Sequence, residues 1–423
     1  MLGRRMAIGS VALEITQRCN LDCSYCYLSE SSEALKDIPI EEVYRRIDLI
    51  YAHYGPNTDV QVTGGDPTLR RRDELIAIVR YIRARGMRPA LFTNGIKATR
   101  ALLGDLVAAG LEDVAFHVDM TQGRAGFANE AALNTLRQEY IERARGLPLA
   151  VYFNTTIFGG NFAEVPMLAK FFVEQSDVVR FASFQVGADS ARGVERVRVA
   201  VDPTTVIAAI NAGAGTTLAF DRAGVGPSDC NRYACALVVN DHAYDALADG
   251  SFVRQVLHAS ASRPFARARL GRMVRDIGGF LFGHPMLAVG IGRRVLQWAW
   301  RARRDLVRAR GQVRKLSFFV HNFMDAQSLD RDRCDACSFM VMTPEGPLSM
   351  CVHNAKRDDY LLVPARLERA STSTIKFFNP ATGVLEDQIP LRIEVRLNRK
   401  NARGRAKIGV DAAHHTARDR ALT

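Results

Sequence analysis

The chain has 423 residues, 48% hydrophobic and 24% charged, which is ample for one large domain and a smaller one. Its opening, MLGRRMAIGSVALEIT, lacks the apolar run and small-residue cleavage site of a secretory signal, so the eight cysteines are read as thiols of a reducing, cytoplasmic compartment rather than a disulfide framework. The net charge of +12 is unevenly placed: residues 254–315 hold 15 Lys and Arg against 2 Asp and Glu, and the rest of the chain is close to neutral.

The strand-like run at residues 11–15 leads into ITQRCNLDCSYCYLSE, where Cys19, Cys23 and Cys26 are spaced by three and then two residues. Thiolates are the soft ligands of iron–sulfur clusters, and a tight loop can bring three to one four-iron cube. Three ligands leave one iron open to a substrate or cofactor. A zinc knuckle is the competing reading, but no fourth Cys or His lies within ten residues of Cys26.

From there to residue 187 strands and helices alternate. Pro39 with Glu41 and Glu42 opens a helix to residue 55, DVQVTGGDPT is a strand with its exit loop, and residues 71–86 form an amphipathic helix closed by Gly86. The beat repeats with strands at 88–96, 113–120, 149–158 and 178–187 and helices at 99–110, 129–146 and 162–175. Six such steps predict a parallel sheet with helices outside, curled into a partial (β/α)6 TIM-type barrel. Catalytic groups belong at the C-terminal strand ends, and the polar residues fall there: Gly64, Gly65 and Asp66; Thr93 and Asn94; His117 and Asp119; Asn154; Gln185. For any one of these, ordinary turn chemistry is the simpler account, but they recur at successive strand ends.

The cysteine spacing, with Tyr25 before the third cysteine, resembles the radical S-adenosylmethionine (radical SAM) superfamily. The resemblance implies a 4Fe–4S cluster on Cys19, Cys23 and Cys26 whose open iron is chelated by SAM. An electron from the cluster, supplied by a reductant such as flavodoxin or ferredoxin, then cleaves SAM to a 5′-deoxyadenosyl radical. It places Gly64 and Gly65 near the SAM amino group, Asp66 where the family often has Glu, and Asp119, His117 and Asn154 near the ribose and carboxylate. Tyr25, Thr93, Asn94 and Gln185 complete the expected cofactor-binding set.

Residues 191–253 read as a connector carrying Cys230 and Cys235 on a loop. Residues 254–315 form a basic amphipathic helical insertion. Its apolar stretch IGGFLFGHPMLAVGIG is too short to span a bilayer and is interrupted by Pro285, and arginines surround Trp298 and Trp300. That pattern predicts peripheral contact with the inner face of a membrane; solvated packing and nucleic-acid binding are the alternatives, and the apolar centre disfavours nucleic acid. Residues 316–391 form a smaller cysteine-rich domain, in which Cys334-x2-Cys337 precedes a predicted hairpin that returns Cys351. This resembles the SPASM and twitch auxiliary-cluster domains, implying at least one auxiliary 4Fe–4S cluster from Cys230, Cys235, Cys334, Cys337 and Cys351; a zinc site is the alternative. Residues 392–423 read as a basic mobile tail.

VHNFMDA and CSFMVMTPEGPLSMCVHNAKRDDY further resemble the group containing the archaeal tetraether-lipid synthase. That resemblance implies hydrogen abstraction from an unactivated carbon of a membrane lipid, with His321, Asp325 and His353 as catalytic candidates on the substrate side. A peptide maturase, a pterin or small-molecule methyltransferase, and a non-enzymatic electron-transfer or nucleic-acid-binding protein are the other readings.

Overall fold

In β1 (Ser10–Thr16), Val11, Leu13 and Ile15 point to one side and Ser10, Ala12 and Glu14 to the other, as a two-residue period requires. The computed structural model describes residues 9–190, 201–261, 263, 265, 270–369, 374–390, 393–398, 400–404 and 414–416, and the same division recurs along its sheet. After β1 come α1 (Ile40–Tyr54), β2 (Asp59–Gly64), α2 (Arg72–Ala84), β3 (Arg88–Thr93), α3 (Arg100–Ala108), β4 (Asp113–His117), α4 (Glu130–Ala144), β5 (Ala150–Ile157), α5 (Val165–Glu174) and β6 (Val179–Val186). All neighbouring pairs from β1 to β6 are parallel, so the expected α/β open barrel is present.

The outer strand faces bury Val60, Val62, Leu91, Val114, Phe116, Val151 and Phe153 beneath the helices. The inner faces are different. A closed barrel fills its centre with branched side chains, whereas here Ser10, Ala12, Ala90, Ala115, Ala150 and Ser183 line a cavity of about 1150 Å³ running along the strands. Small interior residues keep the barrel hollow.

The sheet does not end at residue 190. After α6 (Pro203–Ala214) come β7 (Asn231–Val239), β8 (His242–Asp245) and a helical insertion of α7 (Gly250–Ser260), α8 (Leu270–Phe282), α9 (Pro285–Arg301) and α10 (Arg303–Arg308). β9 (Arg314–Asn322) then pairs parallel to β6, with β7 antiparallel on its far side and β8 beyond. Following α11 (Arg331–Asp335), β10 (Phe339–Thr343) pairs parallel to β1 and turns into β11 (Gly346–Ser349). The stretches expected as connector and separate cysteine-rich domain therefore supply strands that cover both edges of the barrel, where unpaired backbone groups would otherwise lie. Pro285 does not break a helix; it occupies the first turn of α9, where its missing N–H costs nothing. Among the described residues no helix is long and apolar enough to cross a membrane.

Beyond α12 (Met350–Ala355) and α13 (Asp358–Leu361) lie a small sheet of β12 (Ala365–Arg369), β13 (Thr374–Phe378) and β14 (Leu385–Glu386), then the pair β15 (Glu394–Arg396) and β16 (His414–Thr416). The expectation of a mobile tail from 392 is corrected for residues 393–404 as far as they are described. Ile393, Val395, Leu397 and Ala402 are buried with Leu35 and Leu362, so the segment is fastened to the barrel by apolar burial. Residues 405–413 and 417–423 of that expected tail, 191–200 of the connector, and 262, 264 and 266–269 of the insertion lie outside the described residues.

Candidate functional site

The loop after β1 presents Cys19, Cys23 and Cys26, all half-buried, to one end of the cavity. Its position is fixed by backbone. Gly65 N–H donates to Thr16 O at 2.9 Å and Asp66 N–H to Arg18 O at 2.8 Å. A Cβ on Gly64 would lie 2.0 Å from Thr16 O, and one on Gly65 2.0 Å from Arg18 O, so β2 can approach the cysteine loop this closely only through glycine. Gly64 also has φ +130°, which side chains rarely adopt. Tyr25 packs on Phe158, ring centroids 5.5 Å apart, and leans over Gly187, and Ser190 Oγ donates to Cys26 O at 2.9 Å. The loop is thus clasped from the β2 side and from beyond β6.

The thiols are unfavourable as bare anions. Burial pushes the Cys23 thiol up strongly, and the neighbouring Cys26, Asp119 and Cys19 charges add to it; Cys19 is raised for the same main reason. Three thiolates gathered there need a cationic group between them, and the donor set fits an iron–sulfur cluster with one iron unligated by protein. Among the described residues no three His, Cys, Asp or Glu side chains converge as one bare metal ion would require.

The strand ends around this loop hold the expected polar residues, in two roles. Thr93, Asn94, His117, Asn154 and Gln185 line the cavity with Gly64, Gly65 and Tyr25. Asn94 Nδ2 donates to Asn20 Oδ1 at 2.6 Å and approaches Cys19 Sγ at 3.8 Å. His117 Nε2 lies 2.6 Å from Asp119 Oδ2 and 3.2 Å from Thr156 Oγ1. Asp66 and Asp119, by contrast, are fully buried ties that do not line the cavity. Asp66 accepts from Thr68 N–H, Thr93 Oγ1–H and Asn94 N–H, which fastens the end of β2 to the end of β3. Asp119 accepts from Thr121 N–H and Thr156 N–H. Burial alone would raise the Asp119 carboxyl, but the His117 charge and these hydrogen bonds hold it at about 2. Asp66 and Asp119, expected from the sequence as cofactor-binding residues, hold Thr93, Asn94 and His117 in position.

Four of the remaining five cysteines come near one another, and one of them, Cys351, lines the cavity. The 225–231 loop before β7 meets Ser338 before β10: Asn231 Nδ2 donates to Val225 O and to Ser338 Oγ. This brings Cys230 to Cys334 and Cys337. The Cys351 thiol is pushed up to about 12 by burial and then by Cys337, Cys230 and Cys334, which places those three thiols close to it. Arg333 Nε–H donates to Cys230 Sγ at 3.1 Å, and Met324 N–H to Cys351 Sγ at 3.5 Å. Cys235 is not part of this group. It lies five residues along β7 from Cys230, ~16 Å at the rise of a strand, opposite Ser317, and its thiol bonds with Tyr233 and Ser317.

The catalytic candidates of the C-terminal stretch also divide. His321 lines the cavity, stacked on Phe323 at 3.8 Å, and burial first, then Arg333, pushes its imidazole down to about 3. Asp325 does not line the cavity; its Oδ1 accepts Asp189 N–H at 2.7 Å and ties down the loop after β6. His353 is buried against Tyr360 and beside Arg357, away from the cavity wall. Sequence reasoning missed Arg403, which reaches the cysteine loop from the C-terminal segment, and Glu33, whose Oε1 accepts Cys19 N–H at 2.9 Å. No signal marked either, because each lies in a polar stretch without periodicity.

Residues 13–172 match the family model of the Radical SAM superfamily. The 7,8-dihydro-6-hydroxymethylpterin dimethyltransferase of Methanocaldococcus jannaschii is 28% identical over 179 residues, 41% of this chain and 35% of that protein. The PqqA peptide cyclase of Xanthomonas euvesicatoria pv. vesicatoria is 32% identical over 184 residues, 42% of this chain and 47% of the relative. The chain thus spans less than half the length of these curated relatives. Streptococcus suis SuiB, in a crystal structure with its precursor peptide SuiA, aligns at 15% identity and a TM-score of 0.37 over 49% of this chain and 46% of that one.

Proposed function

Because this chain carries a radical SAM domain over residues 13–172, we propose that it is an enzyme that reductively cleaves SAM and abstracts a hydrogen atom from an apolar substrate held in the hollow barrel. The observation that carries this is the single cavity onto which Cys19, Cys23, Cys26, Gly64, Gly65, His117 and Asn154 all open. A 4Fe–4S cluster on the three thiols, with SAM beside it, would supply a 5′-deoxyadenosyl radical. The residues around it have distinct tasks. Gly64 and Gly65 let β2 close on the cysteine loop, Asn94 steadies Cys19, and Asp119 fixes the His117 ring through Nε2. Tyr152, Phe181, Phe319 and Phe339 wall the cavity with apolar surface and keep water from the reacting carbon. Cys230, Cys334, Cys337 and Cys351 would hold one auxiliary cluster, with Cys235 outside it. A small reductant such as flavodoxin or ferredoxin would supply the electron.

For the substrate class we favour a lipid chain taken from a membrane surface. The insertion supports this from two sides. Phe265, Met273 and Ile277 line the cavity, while Phe282 is 92%, Met286 83%, Leu296 72% and Trp300 70% exposed. Along α9, residues 286, 289, 296 and 300 lie on one helical stripe, together with Arg293 and Arg301, the pattern of a helix lying on anionic headgroups. A peptide substrate is the second reading, favoured by the PqqA peptide cyclases among the relatives.

The test is anaerobic reconstitution with iron and sulfide, then reduction in the presence of SAM. The expected product is 5′-deoxyadenosine, absent in Cys23→Ala; a chain that yields none refutes the enzymatic reading. Anionic liposomes should co-sediment the wild type and not the F282E/M286E variant, and equal sedimentation of both refutes the lipid arm.

A further inference from the structure

The C-terminal segment places one arginine where the radical SAM reading has no assigned residue. Arg403 is 4% exposed and lines the cavity together with Cys19, Cys23 and Cys26. Its Nη1 binds Glu33 Oε1, the same oxygen that accepts Cys19 N–H, and its Nη2 donates to Leu21 O. Arg403 N–H donates to Glu30 O, and Gly404 N–H donates to Asp22 Oδ1 at 3.2 Å. Residues 403–404 therefore lie across the cysteine loop and fasten it at residues 21, 22, 30 and 33. The buried Ile393, Val395, Leu397 and Ala402 hold this segment in place.

Glu33 Oε1 and Leu21 O take one N–H from each terminal nitrogen, and the Asp22 carboxylate pairs with Nη2 at 3.8 Å, but Nε–H is buried with no hydrogen-bond partner. An orphaned donor is destabilising when nothing fills its direction. The charge of Arg403 acts on Cys19 and Cys23, favouring their thiolate forms against burial. Asp66 and Asp119 are the negative groups felt at the same thiols, and both are spent on backbone and hydroxyl donors.

We propose that Arg403 is a positioning residue for the cluster on Cys19, Cys23 and Cys26: it pins the loop and sets the cluster's reduction potential by placing a cation, with Nε–H unspent, against the thiolate sulfurs. The inference rests on the cluster reading above. Reduction adds one electron to a group already negative through its thiolates, so a fixed cation stabilises the reduced form more than the oxidised one. Removing the cation lowers the potential and makes the electron harder to deliver.

The test is an anaerobic redox titration of the full-length, iron-loaded protein followed by electron paramagnetic resonance, reading the signal that changes on addition of SAM. At the potential where the wild-type cluster is half reduced, Arg403→Gln should lower the reduced-to-oxidised ratio at least tenfold, a shift of about 59 mV for one electron. Arg403→Lys, which keeps the charge, should stay within about threefold of wild type. An unchanged ratio in R403Q overturns the proposal, and so does an equal fall in both variants, since that would trace the effect to loop geometry and not to charge. If R403Q does not retain its iron, R403K decides: retention of iron with a near-wild-type midpoint supports the role, and loss of iron in both overturns it. A wild-type chain that takes up no SAM-responsive cluster defeats the functional reading itself, whereas uptake without any dependence on Arg403 defeats only this inference.

Discussion

Replacing Arg357 by methionine should destabilise the protein by about 3–4 kcal/mol at pH 7 and by much less at pH 5. Arg357 is wholly buried and its Nη2 binds Glu14 Oε1 on β1, while Gln17 Nε2–H donates to Glu14 Oε2 at 2.8 Å. The guanidinium also lies 4.8 Å from the centre of the Tyr27 ring, at the far end of the cysteine loop. Burial pushes the Glu14 carboxyl up, but the Arg357 and His353 charges and these hydrogen bonds outweigh it and leave the group below its ordinary value. Removing one partner of a buried pair typically costs about 3–5 kcal/mol. Glu14 has one escape, which is to take a proton. For a carboxyl with an ordinary unfolded pKa of about 4.3, that costs roughly 3.7 kcal/mol at pH 7 and about 1 kcal/mol at pH 5. In the variant the folded state holds this proton and the unfolded state does not, so variant stability falls as pH rises above about 4.3. In the wild type the carboxyl is lowered, so its contribution is present above that value and fades as pH falls. The gap between the two therefore closes on acidification. Urea unfolding followed by circular dichroism at pH 7 and pH 5 measures it, and E14Q/R357M should regain most of the loss. A penalty below 1 kcal/mol, or one equal at both pH values, would refute the reasoning.

Three further outcomes follow from the geometry. Gly65→Ala brings a methyl to 2.0 Å from Arg18 O and should displace the cysteine loop, cutting iron bound at the three thiols severalfold while leaving far-ultraviolet circular dichroism unchanged; full iron content in G65A would count against the close approach. Cys351→Ser should lower total bound iron by about one cluster and Cys235→Ser should not, as measured by iron per chain; equal loss in both would place Cys235 in the site after all. His321, held near pKa 3 by burial, refuses the proton that the unfolded chain takes at about 6.5. Stability should therefore drop as pH falls below that value, by about 2 kcal/mol at pH 5. His321→Phe should flatten this part of the profile, and an unaltered profile would show that another group titrates there.

The barrel was legible because its signals are local. Glycines at 55, 86, 110 and 146 follow the helices, and alternation marks the strands, so six βα steps could be read in order. Which strand lies beside β6 was not legible. β9 is separated from it in sequence by β7, β8 and the five helices α6 to α10, and parallel pairing leaves no turn to read. The cysteine triplet and the glycine pair were visible as spacing, and both face the cavity. The roles of Asp66 and Asp119 were not, since a carboxylate at a strand end looks the same whether it faces a ligand or ties two loops together. Cys235 and Cys230 looked equivalent on a supposed loop; a strand begins between them and carries Cys235 away along the sheet.

The hollow interior has a consequence for what the protein can admit. Ala90 and Ala150 share one level of the barrel, Ala115 and Ser317 the next and Ser183 a third, so each level acts as a graduation on a measuring stick. A bulkier side chain at any one of them would shorten the chamber from that point. Selectivity for the length of a guest would then be written mainly in residues with almost no side chain of their own.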